Sequence, residues 1–237
     1  MDDGSTDKTR EVLAEMRDQR LRVLTQENLG VSRARNAGVA RARGEMIAFL
    51  DSDDRWQPQK LELQLAFMRL GGWEITQTEE IWIRKGKRVN TKKKHAKMGG
   101  WLFEPSLELC LISPSAVMFS RSCWESIGPF DETLPACEDY DLWLRCGLHY
   151  PVGIVPQPLV MKYGGHPDQL SRKIIGLDLY RIYSLRNLLA KEDLPLQKRR
   201  LAVENLRQRV DRYLRGCLKR DKPEEAGRVR DLAARFL

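Results

Sequence analysis

The sequence predicts an α/β fold in which a mostly parallel sheet is flanked by helices and followed by a C-terminal helical extension. Helix and strand patterns alternate along the first 60 residues, as in strand-helix-strand units. After residue 171 the pattern changes to long, charged, amphipathic helices. With 237 residues and 42% hydrophobic content, the chain is long enough for one large domain with an appendage.

Apolar spacing and turn residues predict the elements of the first half in order. Ser5, Thr6 and Asp7 offer side-chain oxygens to the first turn of a helix within residues 6–20. A strand over 21–25, a helix over 30–43 and a strand over 46–50 follow. This order implies crossover connections and therefore parallel strands.

The second half is predicted to hold a further set of helices and strands. Pro58 opens a helix that ends at Gly71-Gly72, and an extended segment follows over 74–83. The other predicted elements are a strand over 115–120, helices over 121–127 and 138–148, strands over 152–155 and 159–163, and C-terminal helices interrupted near Pro195 and Pro223.

The net charge of +8 is unevenly distributed. From Arg172 onward, 18 Lys and Arg stand against 9 Asp and Glu, so the preceding part of the chain is close to neutral. A second basic stretch runs from Arg84 to Lys97, and it predicts either a solvated hairpin or loop or a contact with an anionic substrate or lipid.

Several classes of protein are disfavoured by composition. No run of about 18 apolar residues exists and the N-terminus lacks the order of a signal peptide, so we expect a cytoplasmic protein. The five cysteines lack zinc-type spacing and are expected to be reduced. The basic tail has few aromatic residues and nine acidic ones, so we expect no nucleic-acid partner.

An acidic cluster directly follows the predicted strand over 46–50. Asp51, Asp53 and Asp54 fall at the carboxyl end of that strand, where open α/β sheets bind ligands. Adjacent carboxylates repel one another unless they share a cation, and oxygen ligands suit Mg²⁺ or Mn²⁺. The alternative is a polar turn with an Asp cap on the next helix.

Five stretches in this order resemble the inverting family 2 glycosyltransferases, which have the GT-A fold. They are DDGSTDKT (2–9), QENLGVSRARNAGVARARGEMIAFLDSDDRWQP (26–58), LISPSAVMFSRSCWESIGPFDETLP (111–135), CEDYDLWLR (137–145) and GGHPDQLSR (164–172). The resemblance implies a GT-A (Rossmann-like) domain over 1–171, with a nucleotide-binding half over 1–58 and an acceptor and catalytic half over 59–171. The basic helical extension is then 172–237.

The resemblance assigns donor-site roles to residues of the first half. Asp3, flanked by Asp2, matches the position that accepts a hydrogen bond from the nucleotide base. Asp53, with Asp51 as partner, matches the metal-binding carboxylates for Mn²⁺ or Mg²⁺. Arg33 and Arg35 lie near the expected nucleotide, where guanidinium groups suit phosphate oxygens, although both also fit solvated helix faces.

The resemblance also assigns roles in the second half. Glu138-Asp139 matches the family's Glu-Asp pair, in which the aspartate takes the proton from the acceptor hydroxyl, with Glu138 and Asp141 as reserve candidates. The alternative is an acidic cap on the helix over 138–148. His166 is a candidate metal ligand because some relatives place a histidine from a late loop on the metal.

Family members begin with a strand, a helix and a second strand before the DDGS turn, and we expect this chain to lack them. A GTG codon misread as a start at Met1 is the hypothesis for this difference. A chain that truly begins there would expose apolar strand edges and be poorly stable.

The resulting hypothesis is a metal-dependent inverting glycosyltransferase of cell-envelope glycan synthesis. Its partners would be a nucleotide-sugar donor and a glycan or lipid-linked acceptor. The basic C-terminal helices would pack on the domain, on a second subunit or on the inner face of the membrane. The alternatives are an inactive or regulatory fragment of this fold and, less favoured, a nucleic-acid-binding protein.

Overall fold

The structure, a computed structural model, describes residues 1–90, 95–165, 174–191 and 193–237. It confirms the α/β class and the C-terminal helices. The strands are β1 (Asp2–Asp3), β2 (Thr25–Gln26), β3 (Met46–Ala48), β4 (Arg55–Trp56), β5 (Ile75–Arg84), β6 (Lys87–Val89), β7 (Met118–Ser120) and β8 (Gly153–Gly164). The helices are α1 (Thr9–Glu15), α2 (Val31–Arg41), α3 (Lys60–Gly71), α4 (Phe103–Glu108), α5 (Arg121–Ile127), α6 (Glu138–His149), α7 (Leu177–Lys191), α8 (Leu196–Lys219) and α9 (Pro223–Ala234).

The main sheet is mixed, where the sequence led us to expect mostly parallel strands. Its order is β3-β7-β5-β8-β4, with β6 beside β5. In this sheet the described pairing of β5 with β8 is parallel and the other four are antiparallel. The tight turn between β5 and β6 can join only antiparallel strands, whereas β5 reaches β8 through a long helical crossover. β1 and β2 form a separate parallel pair.

Several element boundaries differ from the sequence expectation. The two strands expected over 152–155 and 159–163 form one strand, β8, whose register with β5 shifts between Thr78 and Glu80. Pro156 and Pro158 lie opposite this irregularity and supply no backbone N–H to the ladder. Helix α1 is shorter than expected and has no buried residue. β4, β6 and α4 were not predicted as separate elements.

An aromatic core lies between the sheet and helices α5 and α6. Five rings, with centroids 5.4–6.5 Å apart in the contacting pairs, form its centre: Phe49, Phe119, Trp124, Phe130 and Trp143. Phe49 directly precedes the acidic loop, so this packing holds the chain in place where the loop leaves the sheet.

The C-terminal helices pack back on the α/β part of the chain. Apolar residues of α7, α8 and α9 share one core with Phe103 of α4 and Tyr140 of α6. The buried guanidinium of Arg209 joins the two parts, because it pairs with Asp178 at 2.8 Å and donates to the Glu108 carbonyl at 3.0 Å. Packing on the domain, one of the three expected arrangements, is therefore present.

Two expectations about chain class can be compared with the structure. No helix among the described residues is long and apolar enough to cross a membrane. All five cysteines are free, with Cys123, Cys146 and Cys217 buried and Cys110 and Cys137 partly buried.

Lys60, the first residue of α3, has a buried side-chain amine that forms no ion pair or hydrogen bond with the described residues. Its side chain is fully buried, and within the described chain its amine has no hydrogen-bond partner. The nitrogen lies 4.2 Å from the centroid of the Trp56 ring. Burial lowers the pKa of Lys60 from 10.5 to about 7.

We predict that Lys60→Met stabilises the protein at pH 7 by roughly 1–3 kcal/mol, because it removes a buried polar group without a partner. Between pH 7 and about 10, the unfolded wild-type chain retains a proton on Lys60 that the folded chain has lost, so wild-type stability rises with pH. The variant should lack this rise. Urea unfolding at several pH values measures both effects.

The control is Lys219→Met, which changes an exposed lysine and should leave both stability and its pH dependence unchanged. A Lys60→Met protein that unfolds at lower urea concentration than wild type at pH 7 would contradict the prediction.

Candidate active site

A cleft of about 1180 Å³ opens beside the end of β3 and the first turn of α6. Seven of the nine residues predicted for the site line it: Asp2, Asp3, Arg35, Asp51, Asp53, Glu138 and Asp139. They come from four separate stretches of sequence, so the fold brings together residues that are more than 130 positions apart.

The acidic loop is held in place by Ser115. The backbone N–H of Asp51 donates to the Ser115 hydroxyl at 3.1 Å, and the Trp56 indole donates to the Ser115 carbonyl at 2.8 Å. Inside the loop, the Asp54 N–H donates to the Asp51 carbonyl at 3.0 Å. These three hydrogen bonds fix the backbone on which the carboxylates stand.

The three carboxylates of the loop differ in their surroundings. One oxygen from each of Asp51, Asp53 and Asp54 lies within 4.8 Å of the others, which fits a shared divalent cation. Asp54, however, is buried and is engaged by β8, where Lys162 pairs with it at 3.3 Å and the Tyr163 N–H donates to it at 3.1 Å. Burial raises the pKa of Asp54 despite the Lys162 charge. Asp51 and Asp53 are more exposed than Asp54, and their role as cation ligands stays a prediction.

Arg35 connects the acidic loop to α6. Its guanidinium pairs with Asp51 Oδ1 at 2.7 Å and with Glu138 Oε1 at 2.8 Å, and its side chain is only 12% exposed. The centroids of the Phe130 and Phe49 rings lie 5.2 and 6.0 Å away. Burial disfavours the charge of Arg35, but the two carboxylates outweigh it and raise its pKa. Arg35 thus occupies the cleft as a bridge between carboxylates.

The Glu-Asp pair forms the first turn of α6. Asp139 accepts hydrogen bonds from its neighbouring Tyr140 N–H at 2.7 Å and from the Cys110 thiol at 3.4 Å. Glu138 is buried, and burial together with the adjacent Asp139 raises its pKa to about 7. The two acids therefore differ: Glu138 is tied to Arg35, whereas Asp139 is partly exposed in the cleft.

Asp2 and Asp3 are both engaged in hydrogen bonds within the N-terminal part of the chain. Asp2 is buried and accepts from the Ser5 N–H at 2.8 Å and from Arg10 at 2.7 Å. The Asp3 carboxylate accepts from the Gln26 amide at 2.7 Å and from the N–H groups of residues 29 and 30 at 2.9 Å. Asp3 holds the turn that precedes α2, whereas Asp2 holds the turn at Ser5 and contacts α1 through Arg10. The nucleotide-base role of Asp3 stays a prediction.

Two predicted site residues are not found in the cleft lining. Arg33 pairs with Glu132 at 3.0 Å on the surface, where about half of each side chain is exposed. His166 lies outside the described residues, so its predicted role as a metal ligand stays a prediction. Asp141, a reserve candidate for the base, is buried and paired with Arg145 at 3.0 Å.

The cleft also contains residues that sequence reasoning did not assign to the site. Cys110 contacts Asp139, Lys162 contacts Asp54, and Trp82 lines the wall beside His95. No sequence motif marks them. Only the fold places the Cys110 thiol against a candidate catalytic carboxylate.

The fold and the site define a class of α/β proteins in which an acidic loop that could hold a cation lies in one cleft with a carboxylate pair. The sequence model of glycosyl transferase family 2 matches residues 1–124, just over half of the chain. An uncharacterised glycosyltransferase of Rickettsia conorii is 32% identical over 189 residues, which are 76% of this chain and 31% of that protein. The chain belongs to glycosyltransferase family 2.

Two further similarities place the chain among known proteins. It is 35% identical over 151 residues to the Escherichia coli β-1,3-glucosyltransferase WfgD, covering 60% of this chain and 54% of WfgD. The crystal structure of Staphylococcus aureus TarS 1–349 with UDP-GlcNAc matches with a TM-score of 0.69 at 19% identity, over 86% of this chain and 61% of that chain. The expected GT-A fold is confirmed. The chain spans 31% of the length of the Rickettsia protein and 54% of the length of WfgD.

We predict that Arg35→Gln destabilises the protein by roughly 3–5 kcal/mol, because it leaves the buried Glu138 and its neighbours without their counter-charge. The matched control is Arg33→Gln, which removes an exposed ion pair two residues away and should cost at most about 1 kcal/mol. Urea unfolding of both variants at pH 8 measures the difference. Equal losses in the two variants would contradict the bridging role of Arg35.

Proposed function

We propose that this protein transfers a sugar from a nucleotide-diphosphate-sugar to an acceptor hydroxyl with inversion, in a metal-dependent reaction of cell-envelope polysaccharide synthesis. The observation that carries the proposal is the shared cleft in which Arg35 links Asp51 of the cation-binding loop to the Glu-Asp pair of α6. Donor and base would then work on opposite sides of one reacting carbon.

In the proposed reaction, Asp139 takes the proton of the acceptor hydroxyl as that oxygen attacks the anomeric carbon. The new C–O bond forms on the face opposite the bond to the diphosphate, which breaks and releases the nucleoside diphosphate, so the configuration inverts. Asp51 and Asp53 would hold Mn²⁺ or Mg²⁺, which when bound neutralises charge on the leaving diphosphate. The proton taken from the acceptor hydroxyl stays on the Asp139 carboxylate until the products leave.

The environment of Asp139 supports its role as the base. A base must be within reach of the acceptor, and Asp139 is partly exposed in the cleft while Glu138 is buried. Asp139 stands in the first turn of α6, where the positive end of the helix dipole lies close to its carboxylate. The hydrogen bonds from Tyr140 and Cys110 hold the carboxylate in one orientation.

The relatives support the substrate class. WfgD is named as a transferase of glucose from UDP-glucose to a GlcNAc-diphosphoundecaprenol, and Bacillus subtilis TuaG, 49% identical over 71 residues, as a putative teichuronic acid biosynthesis glycosyltransferase. The matched TarS crystal contains UDP-GlcNAc. By this analogy we propose a nucleotide-sugar donor, a glycan or lipid-linked acceptor, and a place of action at the inner face of the membrane.

We predict that Asp139→Asn lowers donor turnover by at least about 100-fold, because it removes the proton acceptor. Its dissociation constant for UDP with Mn²⁺ should stay within about threefold of wild type, since general base catalysis adds nothing to nucleotide binding. A hydrolysis screen over UDP-, GDP- and dTDP-sugars with Mn²⁺ identifies the donor, and calorimetry measures binding.

Asp53→Asn should instead lose the Mn²⁺-dependent part of UDP binding, because Asp53 is a proposed ligand of the ion. Glu125→Gln, an exposed acid on α5, is the control and should change neither property. Wild-type protein that binds none of the nucleotides in the presence of Mn²⁺ would contradict the proposed function. Such a result would favour the inactive or regulatory fragment.

A further inference from the structure

The hairpin formed by β5 and β6 carries four exposed basic residues beside the cleft: Arg84, Lys85, Lys87 and Arg88. Across the described ranges of the chain, none of the four forms an ion pair. By contrast, Lys97 from the same basic stretch has a side chain that is only 9% exposed and that pairs with Glu80 at 3.3 Å. The hairpin is therefore a concentrated positive surface that no carboxylate of the described residues neutralises.

The register of the hairpin sets two of these cations against each other. Lys85 and Gly86 both have positive φ, 49° and 72°, and form the two-residue turn that places Arg84 directly opposite Lys87. Directly opposite side chains point to the same face of an antiparallel pair, and like charges there destabilise it. The stability of the hairpin alone gives no reason for this pair.

The face that carries Arg84 and Lys87 is also the face of Trp82. Alternate residues of a strand share a face, and the Arg84 guanidinium lies 5.7 Å from the centroid of the Trp82 ring. Trp82 lines the cleft together with Lys162. Arg84 and Lys87 therefore extend the cleft wall outward from Trp82, whereas Arg88 is on the opposite face, opposite Ile83.

We propose that Arg84 and Lys87 bind a phosphate group of the acceptor at the mouth of the cleft. This inference rests on the proposed function and names the chemical class of the acceptor: one that carries a phosphate or diphosphate near the sugar that receives the new bond. A guanidinium fork beside an ammonium group suits phosphate oxygens. The donor diphosphate has its own place at Asp51 and Asp53, so the hairpin site serves the other substrate.

The test uses the full chain with decyl diphosphate as probe. Arg84→Gln/Lys87→Gln should weaken its binding at least about tenfold, as expected for the loss of hydrogen bonds between charged groups. Binding of UDP with Mn²⁺ and donor hydrolysis should be unchanged. The control Arg215→Gln/Lys219→Gln removes the same charge from the exposed surface of α8 and should bind decyl diphosphate like wild type.

A second variant separates binding from stability. Lys87→Glu replaces the repulsive cross-strand pair by an attractive one, so its melting temperature should rise while its binding of decyl diphosphate is lost. If Lys87 had a purely structural role, Lys87→Glu would change the melting temperature and the affinity for decyl diphosphate in the same direction. That result would overturn the proposal.

Two other outcomes would also overturn the proposal. One is equal binding of decyl diphosphate by wild type and the double glutamine variant, including no binding by either. The other is loss of binding only to phosphatidylglycerol vesicles, with decyl diphosphate binding retained, which would assign the hairpin to lipid headgroups. Mn²⁺-dependent donor hydrolysis by wild type, which does not require the hairpin, reports on the proposed function independently.

Discussion

The ion pairs of Arg35 are the interaction on which the arrangement of the site depends. Asp51, Asp53, Glu138 and Asp139 line the same cleft, and their mutual repulsion would separate the acidic loop from α6 without a positive group between them. Arg35 supplies that group with contacts of 2.7 and 2.8 Å to carboxylates 87 residues apart in sequence. A guanidinium suits this task because its planar fork can meet two carboxylates at once and stays charged when buried.

The same residue connects the site to the hydrophobic core. Phe49 and Phe130 lie beside the guanidinium of Arg35, and both belong to the aromatic cluster between the sheet and the helices. Phe49 leads into the acidic loop, whereas Phe130 precedes α6. Because the cluster is close-packed, a displacement of either segment would disturb ring contacts on both sides. The separation between the candidate cation ligands and the candidate base is therefore fixed by core packing as well as by charge.

The sequence was sufficient for the α/β class, most helices and the choice of the carboxylates that line the cleft, because these depend on local spacing and on ordered motifs. It could not establish the partners of Arg35, which was expected to meet phosphate, since its contact with Glu138 joins residues 103 positions apart. The prediction of a mostly parallel sheet was wrong for a related reason. The order of elements suggested parallel crossovers, but β7 runs antiparallel to both β3 and β5, and no short-range pattern specifies that pairing.

The basic stretch from Arg84 to Lys97 shows why composition alone cannot assign a role to charge. At one end, Lys97 is inside the protein, where it pairs with Glu80 and donates to Ser113 at 2.6 Å. At the other end, Arg84 and Lys87 project from a hairpin whose register forces them together. A lysine whose side chain is buried needs a partner for its charge, so the ion pair with Glu80 accounts for the position of Lys97 in the folded chain. Exposed like charges placed opposite each other weaken the hairpin, and the proposed phosphate group would offset their repulsion.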